Sequence, residues 1–436
     1  MQENPLDAWT ARAIGSELPL TRAALDVYQR LWLRETVDWA KRASPFYRRR
    51  LEDIDAAELK ALGDLPRLPL TTADDLRRND PPLLCVSQNA ISHVVTLDSS
   101  GTSGAPKRLF FMSEELEATL DFFTHGMQLP ARPGDRVLIL FPGGRQGSVG
   151  DLLARALARL GAMPILHGWP EDPEAAAAVL RKERPDVVAG TPVAVLAIAC
   201  HAAAKGSPTS VRSVLLSADH AAESLRRRLA DLWGCEVFEH YGMTEMGLGG
   251  GVDCSAHAGY HVRESELLVE VVDPASGEAV PLGEPGEVVV TTLRRRGMPL
   301  IRYRTGDLSR LLPDPCPCGS PLRRLQRIAR RVSGGVDLGT TGHLTIGMLD
   351  ETVFAVPGVA DFHAVFRAGV PPWLDLDVSC TVPTSNGGMA IASAVRVAVE
   401  AIPTLKAAGV RVTAATSAET TLLHRGKRRL LIEAER

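Results

Sequence analysis

Large apolar side chains in the first part of the chain recur at helical spacing. Between Trp9 and about Leu62, the successive residues Leu25, Tyr28, Trp32 and Trp39 lie three, four and seven positions apart, which places them on one face of a helix. The Ser44-Pro45 pair interrupts this pattern, because proline cannot continue a helix. The pattern predicts a helical scaffold layer broken at residue 44.

Short apolar runs and helical stripes alternate in the middle of the chain, which predicts a sheet covered by helices. Predicted strands are Ile91–Leu97, Leu109–Phe111, Val137–Phe141, Asp186–Ala189, Val214–Ser217 and Glu236–Phe238. Predicted helices are Leu152–Leu160, Ala175–Arg181 and Glu223–Trp233. The first two strands flank a glycine-rich segment and predict a hairpin-like support for it.

Beyond Val262 the pattern changes to paired β-runs, Leu267–Val272 and Glu287–Thr292. After Arg330 a Ser-Gly-Gly stretch precedes a new series of short strands and helices. These features predict the α/β class: a large mixed α/β amino-terminal domain with a β-rich lobe, residues 1–331, followed by a small mobile α+β domain, residues 332–436.

The composition and charge of the chain limit the classes of binding partner that we expect. The 436 residues, 45% hydrophobic and 23% charged, suit two soluble globular domains. The 49 basic and 52 acidic residues give a net charge of -3, which favours a small-molecule partner over nucleic acid or a membrane surface. The amino terminus has no signal-like apolar stretch, and the run Val193–Ala204 is too short to span a bilayer. We therefore expect a cytoplasmic protein with reduced cysteines.

The glycine-rich segment Asp98-Ser-Ser-Gly-Thr-Ser-Gly-Ala-Pro-Lys107 has the composition of a triphosphate cradle. Gly101 and Gly104 let backbone N–H groups turn towards one anion. Hydroxyl donors come from Ser99, Ser100, Thr102 and Ser103, and Lys107 adds a positive charge. An ordinary surface turn is the alternative. The segment lacks the Gly-Lys-Ser/Thr ending of a Walker loop, which excludes an ordinary P-loop protein.

Three later segments carry complementary chemistry. His240-Tyr-Gly-Met-Thr-Glu245 offers an aromatic ring for adenine and a carboxylate for Mg²⁺. Asp307, expected in a turn after Tyr-Arg-Thr-Gly, suits ribose hydroxyls, and Lys427 lies beside a glycine in a basic run. Taken singly, a core tyrosine, a capping threonine or a surface basic run would explain each segment.

In this order and at these separations, the four segments resemble the adenylate-forming superfamily of acyl-CoA synthetases and adenylation domains. Ser-Pro-Phe-Tyr-Arg48, Pro-Leu-Ile-Arg-Tyr-Arg-Thr-Gly-Asp307 and Cys-Pro-Cys-Gly319 are most similar to its phenylacetate-CoA ligase branch. The resemblance covers about residues 25–430. It implies ATP-dependent formation of an acyl-adenylate with Mg²⁺, followed by transfer to coenzyme A.

The resemblance also implies residue roles. Thr102, Ser103, Gly104 and Lys107 would contact the β- and γ-phosphates, and Ser217, Ala218 and Asp219 would line the adenine pocket. Tyr241, between His240 and Gly242, would stack on adenine. Thr244 would bind the α-phosphate, Glu245 the Mg²⁺ and Asp307 the ribose. Lys427 would be the catalytic lysine.

The segment that opens the predicted small domain departs from the family pattern. Arg330 matches the family arginine of the nucleotide site, but Arg331, Val332 and Ser333 follow it, with no carboxylate before Asp337. Rotation of the small domain between the two half-reactions is therefore inferred from the resemblance alone.

Cys254, His261, Cys316 and Cys318 are the candidate metal ligands. Three sulfurs and one imidazole satisfy tetrahedral Zn²⁺, and Cys-Pro-Cys-Gly is turn chemistry typical of a metal knuckle. Buried, unrelated cysteines are the alternative. With no open coordination position, we expect a structural site.

For the acid, the resemblance indicates a pocket between residues 141–150 and 241–250. Phe141 and Gly247 would leave room for a flat ring, so an aromatic acid is expected, and Arg145 would meet a second anionic group if it points inward. A solvent-facing Arg145 and a structural His240 are the alternatives. A carrier protein as acceptor, a non-catalytic nucleotide-binding relative and a homodimer are left open.

Overall fold

The computed structural model describes residues 4–80, 82–97, 106–206, 210–328, 330–332, 334–380, 386–416 and 428–433. The helices are α1 (Pro5–Ile14), α2 (Arg22–Ala43), α3 (Pro45–Arg50), α4 (Ala73–Arg78), α5 (Ser113–Gly126), α6 (Val149–Leu160), α7 (Pro173–Glu183), α8 (Pro192–Ala204), α9 (Glu223–Trp233), α10 (Ile346–Val353), α11 (Asn386–Glu400) and α12 (Pro403–Ala407). Among the described helices, none combines the length and apolarity that a bilayer crossing requires.

The strands are β1 (His93–Leu97), β2 (Lys107–Phe111), β3 (Arg136–Ile139), β4 (Met163–Leu166), β5 (Val187–Gly190), β6 (Ser213–Leu216), β7 (Glu236–Tyr241), β8 (Gly251–Val252), β9 (Tyr260–Val262), β10 (Leu267–Val272), β11 (Gly286–Thr292), β12 (Tyr303–Ser309), β13 (Arg324–Leu325), β14 (Arg330–Arg331), β15 (Val336–Asp337), β16 (His343–Leu344), β17 (Val359–Arg367), β18 (Trp373–Cys380), β19 (Arg411–Thr416) and β20 (Leu431–Glu433). This mixture of helices and sheets confirms the predicted α/β class.

The chain divides into two compact units. The first unit comprises Met1–Leu129 and His240–Val332, and the second comprises Pro130–Glu239 and Ser333–Arg436. One division thus falls between residues 332 and 333, close to the predicted boundary, but residues 333–436 form one unit with residues 130–239. The predicted domains 1–331 and 332–436 remain a prediction.

In the first unit, the helical break predicted at residue 44 is confirmed. Helix α2 begins after Thr21, whose side chain accepts a hydrogen bond from the backbone N–H of Ala24. It ends at Ser44, whose hydroxyl caps α3 by accepting from the N–H of Tyr47 at 3.3 Å, with Pro45 in the first turn. The helices pack on a sheet of order β10-β11-β12-β14, and the β1-β2 hairpin is antiparallel as predicted.

The second unit is built on a parallel sheet. Its strand order is β4-β3-β5-β6-β7, and β5 and β6 are buried along their whole length, as expected for strands covered on both faces. Helix α8 is apolar on nearly every side and lies within the same core, which explains the run Val193–Ala204. The carboxyl ends of parallel strands meet at one edge, where ligands of open α/β sheets bind.

Candidate active site

Glu245 lies at the centre of a buried polar network in the first unit. It follows β7 in a single 3₁₀ turn, Thr244–Met246, and is 2% exposed. Its Oε1 accepts hydrogen bonds from the Tyr303 hydroxyl at 3.0 Å and from the Lys107 ammonium. Arg295 Nη1 donates to its backbone carbonyl at 2.8 Å. The sequence motifs at 107 and 245, 138 residues apart, therefore meet.

The charge of Glu245 is fixed by these neighbours. Burial alone would raise the pKa of this carboxyl group, but the Lys107 ammonium and the hydrogen bonds it receives outweigh burial and hold the pKa below its usual value. Burial and the Glu245 carboxylate raise the pKa of the Tyr303 hydroxyl, which stays a donor. A buried, ionised carboxylate is a suitable ligand for Mg²⁺.

Asp307 lies within strand β12, so the turn predicted for it is wrong. The pairing of β12 with β14 sets Asp307 opposite Arg331, whose Nε lies 3.0 Å from Asp307 Oδ1. Tyr241 donates its hydroxyl to Asp307 Oδ2 at 3.0 Å. Gly306 precedes Asp307 and has φ +77°, so the strand is locally bent at this point but continues to Ser309.

Tyr241 is held on two sides. Its ring stacks against Tyr260 with centroids 5.8 Å apart, and burial followed by the Asp307 carboxylate raises the pKa of its hydroxyl well above the usual value. Tyr241 and Asp307, predicted separately for adenine and ribose, are thus in direct contact.

In the second unit, Ser217, Ala218 and Asp219 directly follow β6 at the carboxyl edge of the parallel sheet. Ala218 has φ +71°, a conformation uncommon for a residue with a side chain. Asp219 Oδ2 accepts a hydrogen bond from the backbone N–H of Arg428 at 2.9 Å. The predicted adenine segment therefore contacts the residue that follows Lys427.

Arg428 is itself anchored inside the second unit. Its Nε donates to Asp350 Oδ1 at 3.1 Å, its Nη1 bonds Asp361, and its Nη2 donates to the Phe362 carbonyl at 3.2 Å. Burial would lower the pKa of this guanidinium, but the two aspartates outweigh it and raise the pKa. Lys427 lies outside the described residues, as do Ser99, Ser100, Gly101, Thr102, Ser103 and Gly104.

Of the three residues predicted for the acid pocket, Phe141 and Arg145 belong to the second unit and Gly247 belongs to the first. Phe141 follows β3 and is 3% exposed, whereas Arg145 is exposed on the same loop, which agrees with the solvent-facing alternative. Gly247, in the first unit, ends the turn after Glu245 with φ +72°, and its carbonyl accepts from the Thr119 hydroxyl at 2.8 Å.

His240 is half-buried near two aromatic rings. Its ring centroid lies 6.1 Å from that of Phe122 and 5.8 Å from that of Phe123. Burial, followed by the nearby charge of Arg263, lowers the pKa of His240 to about 4. The imidazole is therefore neutral at physiological pH.

The four predicted metal ligands come together in the first unit, with all their ligand atoms within 4.8 Å of one another. The Cys254 and Cys316 sulfurs are 3.7 Å apart, and Cys318 Sγ lies 3.5 Å from His261 Nε2. Zinc bond lengths imply tetrahedral edges of about 3.8 Å between sulfurs and about 3.6 Å from sulfur to nitrogen. The donor set and its spacing fit a tetrahedral metal ion.

Comparison with known proteins shows which family of enzymes this chain is similar to. Residues 69–293 match the family model described as AMP-binding enzyme. The phenylacetate-coenzyme A ligase of Thermus thermophilus is 30% identical over 386 residues, covering 84% of this chain and 83% of the relative. That of Pseudomonas putida is 29% identical, covering 72% of each. The chain belongs to the AMP-binding enzymes.

Within this adenylate-forming family, the predicted phenylacetate-CoA ligase-like branch is also confirmed by these relatives. The fold agrees with that of 2-hydroxyisobutyryl-CoA ligase in the postadenylation state with 2-HIB-AMP. The TM-score is 0.81 at 23% identity, covering 96% of this chain and 91% of that structure.

Sequence reasoning missed three residues of this AMP-binding enzyme's polar network. Tyr303 lies inside the motif that was quoted for Asp307, and Arg331 follows the predicted Arg330, which is exposed in β14. Arg295 belongs to a run of three arginines that looks like a surface charge patch. The motif could have indicated Tyr303, but no sequence signal distinguishes a buried arginine from its exposed neighbours.

Proposed function

We infer that this AMP-binding enzyme is an AMP-forming acid–thiol ligase. It activates a carboxylic acid with ATP as an acyl-adenylate and transfers the acyl group to coenzyme A, releasing pyrophosphate and AMP. The observation that carries this conclusion is the convergence of Lys107, Glu245, Tyr241 and Asp307 in one unit of a chain that matches phenylacetate-coenzyme A ligases over most of its length.

The chemistry requires a cation where two anions meet. A carboxylate attacks the α-phosphorus of ATP, the bond to the β-phosphate oxygen breaks, and pyrophosphate leaves with that electron pair. We propose that Lys427 neutralises the charge that develops between carboxylate and α-phosphate, because a cation placed there stabilises the transition state more than the ground state. Thr244 is proposed to hold the α-phosphate.

The remaining roles are proposed from residue chemistry. Ser99 to Gly104 and Lys107 would hold the β- and γ-phosphates, and Glu245 would hold Mg²⁺, which neutralises phosphate charge when bound. Asp307, already oriented by Tyr241 and Arg331, would bind ribose hydroxyls. Tyr241 would stack on adenine, and Ser217, Ala218 and Asp219 are proposed for adenine as well, with His240, Gly242 and Arg330 as further residues proposed for the nucleotide.

We propose an aromatic acid as substrate. Relatives of this chain are named phenylacetate-coenzyme A ligase and, over 55% of this chain, feruloyl-CoA synthase. The buried ring of Phe141 and the absence of a side chain at Gly247 suit a flat apolar group. We also propose that Cys254, His261, Cys316 and Cys318 hold a structural Zn²⁺, since four protein ligands complete its coordination.

Pyrophosphate exchange with a panel of aryl and alkyl acids tests the proposed function directly. We expect acid-dependent exchange with an aryl acid and, on adding coenzyme A, release of AMP and thioester. Exchange without coenzyme A-dependent turnover would favour a carrier protein as acceptor. Absence of exchange with every acid would indicate a nucleotide-binding protein without turnover.

Lys427→Ala tests the catalytic lysine. Because the proposed cation acts on the transition state, exchange should fall by about 100-fold or more, while the Kd for ATP changes little. Lys406→Ala is the matched control, since Lys406 is an exposed lysine in the same carboxyl-terminal segment. Equal exchange rates in the two variants would refute the role of Lys427.

A further inference from the structure

A cavity of about 170 Å³ lies in the first unit, apart from the residues proposed for ATP, and shares Gly247 with the residues proposed for the acid. Its walls include Phe111, Thr119, Met246 and Gly247, and Arg263 and Arg295 line it with their guanidinium groups. A single water needs only about 15 Å³ of such space, so a small ion with several oxygen atoms fits. The walls also carry the charged residues Arg294, Glu114, Glu115 and Glu266, so the balance of charge decides what the cavity can bind.

Arg263 is the unusual member of this cavity. It is 3% exposed and, unlike Arg295, makes no ion pair among the residues that the structure describes; its Nε, like that of Arg295, has no hydrogen-bond partner there. One side of the guanidinium is covered by the Phe122 ring, 5.1 Å from the centroid. Burial lowers the pKa of Arg263, and Glu266 and Asp121 counter that effect only partly. A buried cation in this situation is costly unless an anion compensates it.

The other charges around the cavity are already compensated. Arg294 lies 3.8 Å from Glu266, and Arg295 lies 3.8 Å from Glu115. The Glu115 carboxylate also accepts three backbone hydrogen bonds, each of 2.9 Å, from residues 112, 296 and 297. Glu114 is exposed. Arg263 is therefore the buried arginine of this cavity that makes no ion pair among the described residues, and nearby carboxylates compensate its charge only partly.

We propose that this cavity binds a small oxyanion, a phosphate or carboxylate group, against the guanidinium of Arg263. The guanidinium fork matches two oxygen atoms of such a group, and exclusion of water strengthens the contact. The absence of a side chain at Gly247 keeps the space open, because a Cβ there would lie 3.9 Å from Arg263 Nη1 and 3.5 Å from Thr119 Oγ1. The proposal does not depend on which acid is activated.

Calorimetric titration of the full chain with inorganic phosphate and, separately, with acetate tests the proposal, with sodium chloride at equal ionic strength as the blank. We expect saturable binding of at least one oxyanion, and the stronger of the two identifies phosphate or carboxylate as the preferred group. The titrations are run with ATP at saturation, so that the proposed triphosphate site is occupied. Absence of saturable binding under these conditions would overturn the proposal.

Arg263→Met removes the charge and keeps a linear apolar side chain, and we expect at least a tenfold loss of oxyanion affinity. Without oxyanion, this variant should melt at the same temperature as the wild type or higher, because it no longer buries an uncompensated charge. Arg296→Met is the control, since Arg296 does not line the cavity and its side chain is 37% exposed and paired with Glu35 at 2.9 Å; its affinity should stay within threefold.

Unchanged affinity in Arg263→Met, or equal losses in both variants, would refute the site. If Arg263→Met does not fold, Arg263→Gln replaces it with the same expected loss. Pyrophosphate exchange on the wild type decides the proposed ligase function separately, so failure of one proposal is distinguishable from failure of the other.

Discussion

Buried charged residues in this protein differ in what compensates them. Arg302, 2% exposed, pairs with Glu270 at 3.1 Å and donates to backbone carbonyls. Glu245 is compensated by Lys107 and Tyr303. His240 is instead neutral, because burial and the nearby positive charge of Arg263 lower its pKa. The pKa values of Glu245 and His240 are both lowered, so the ionisation of each is linked to folding with a definite sign.

His240 should make the protein less stable as the pH falls. Its folded-state pKa of about 4 lies below the unfolded value, so between these values the unfolded chain binds a proton that the folded protein excludes. The contribution is fully present above the unfolded pKa and is lost as the pH falls towards the folded one. The expected loss is about 2 kcal/mol between pH 7 and pH 5.

Thermal unfolding midpoints of wild type and His240→Gln at the two pH values measure this contribution. Other histidines titrate in both proteins, so only the difference between the two pH dependences counts. The variant should lose less stability on acidification than the wild type. Parallel pH profiles would contradict the lowered pKa of His240.

At the level of residue chemistry, the sequence was informative where a type of side chain is itself the signal. Three sulfurs and one imidazole predicted the cluster at Cys254 and His261, whose atoms do converge. It was uninformative where function depends on burial, since Arg295 is buried but lies between Arg294 and Arg296, whose side chains are only partly buried. Long-range partners such as Lys107 and Glu245 required the resemblance or the structure.

At the scale of elements, strong periodicity predicted what the fold contains. Helix α9 has the predicted bounds. Helix α6 ends before Gly161, as predicted, and this glycine adopts the left-handed conformation with φ +84°. Helix α5 and strand β4 were not predicted: α5 mixes polar and apolar residues in its first turns, and β4, Met163–Leu166, is only partly buried. Asp307 was predicted in a turn but lies inside strand β12.

The metal cluster connects short elements that have few hydrogen bonds of their own. Strands β9 and β13 pair over two residues, Arg324 with His261 and Leu325 with Tyr260, and short ladders are weak alone. Zinc, if bound as proposed, would hold the loop with Cys316 against β9. Its affinity would then contribute to folding free energy.

Cys316→Ser should therefore lose zinc and unfold at a lower temperature, by about 5 °C or more. Atomic absorption on purified protein and thermal unfolding with and without chelator measure both effects. Cys85→Ser is the control, since Cys85 is a buried cysteine of the same unit outside the cluster; it should retain zinc. Full zinc content in Cys316→Ser would contradict the assignment.

On the scale of the whole molecule, the second unit joins distant parts of the chain through specific polar contacts. The Glu351 carboxylate accepts the N–H groups of Glu223 and Ser224 at the start of α9, at 2.6 and 3.0 Å. Arg228 Nη1 donates to the carbonyls of Val359 and Phe354 at 2.6 and 3.3 Å. Residues 351–359 of the carboxyl-terminal segment are thus docked on α9, which composition and periodicity did not predict.

If the carboxyl-terminal segment moves between the two half-reactions, as the family resemblance implies, these contacts must break. Arg228→Met removes the donors to two carbonyls and keeps the aliphatic contact. Losing such charge-assisted hydrogen bonds costs about 1.5 kcal/mol, a roughly tenfold change in the docking equilibrium. The undocked state becomes more populated, while the chemistry of either step is untouched.

We therefore expect Arg228→Met to raise the ratio of thioester formation, measured from supplied acyl-adenylate and coenzyme A, to pyrophosphate exchange by about tenfold. Arg227→Met is the matched control, because Arg227 is the preceding residue of α9 but its side chain is 75% exposed and pairs with Glu223. A contact that served stability alone would lower the unfolding temperature and leave the ratio unchanged. A ratio that rises in Arg228→Met and stays constant in Arg227→Met would instead identify this docking contact as the one that limits the movement of the segment.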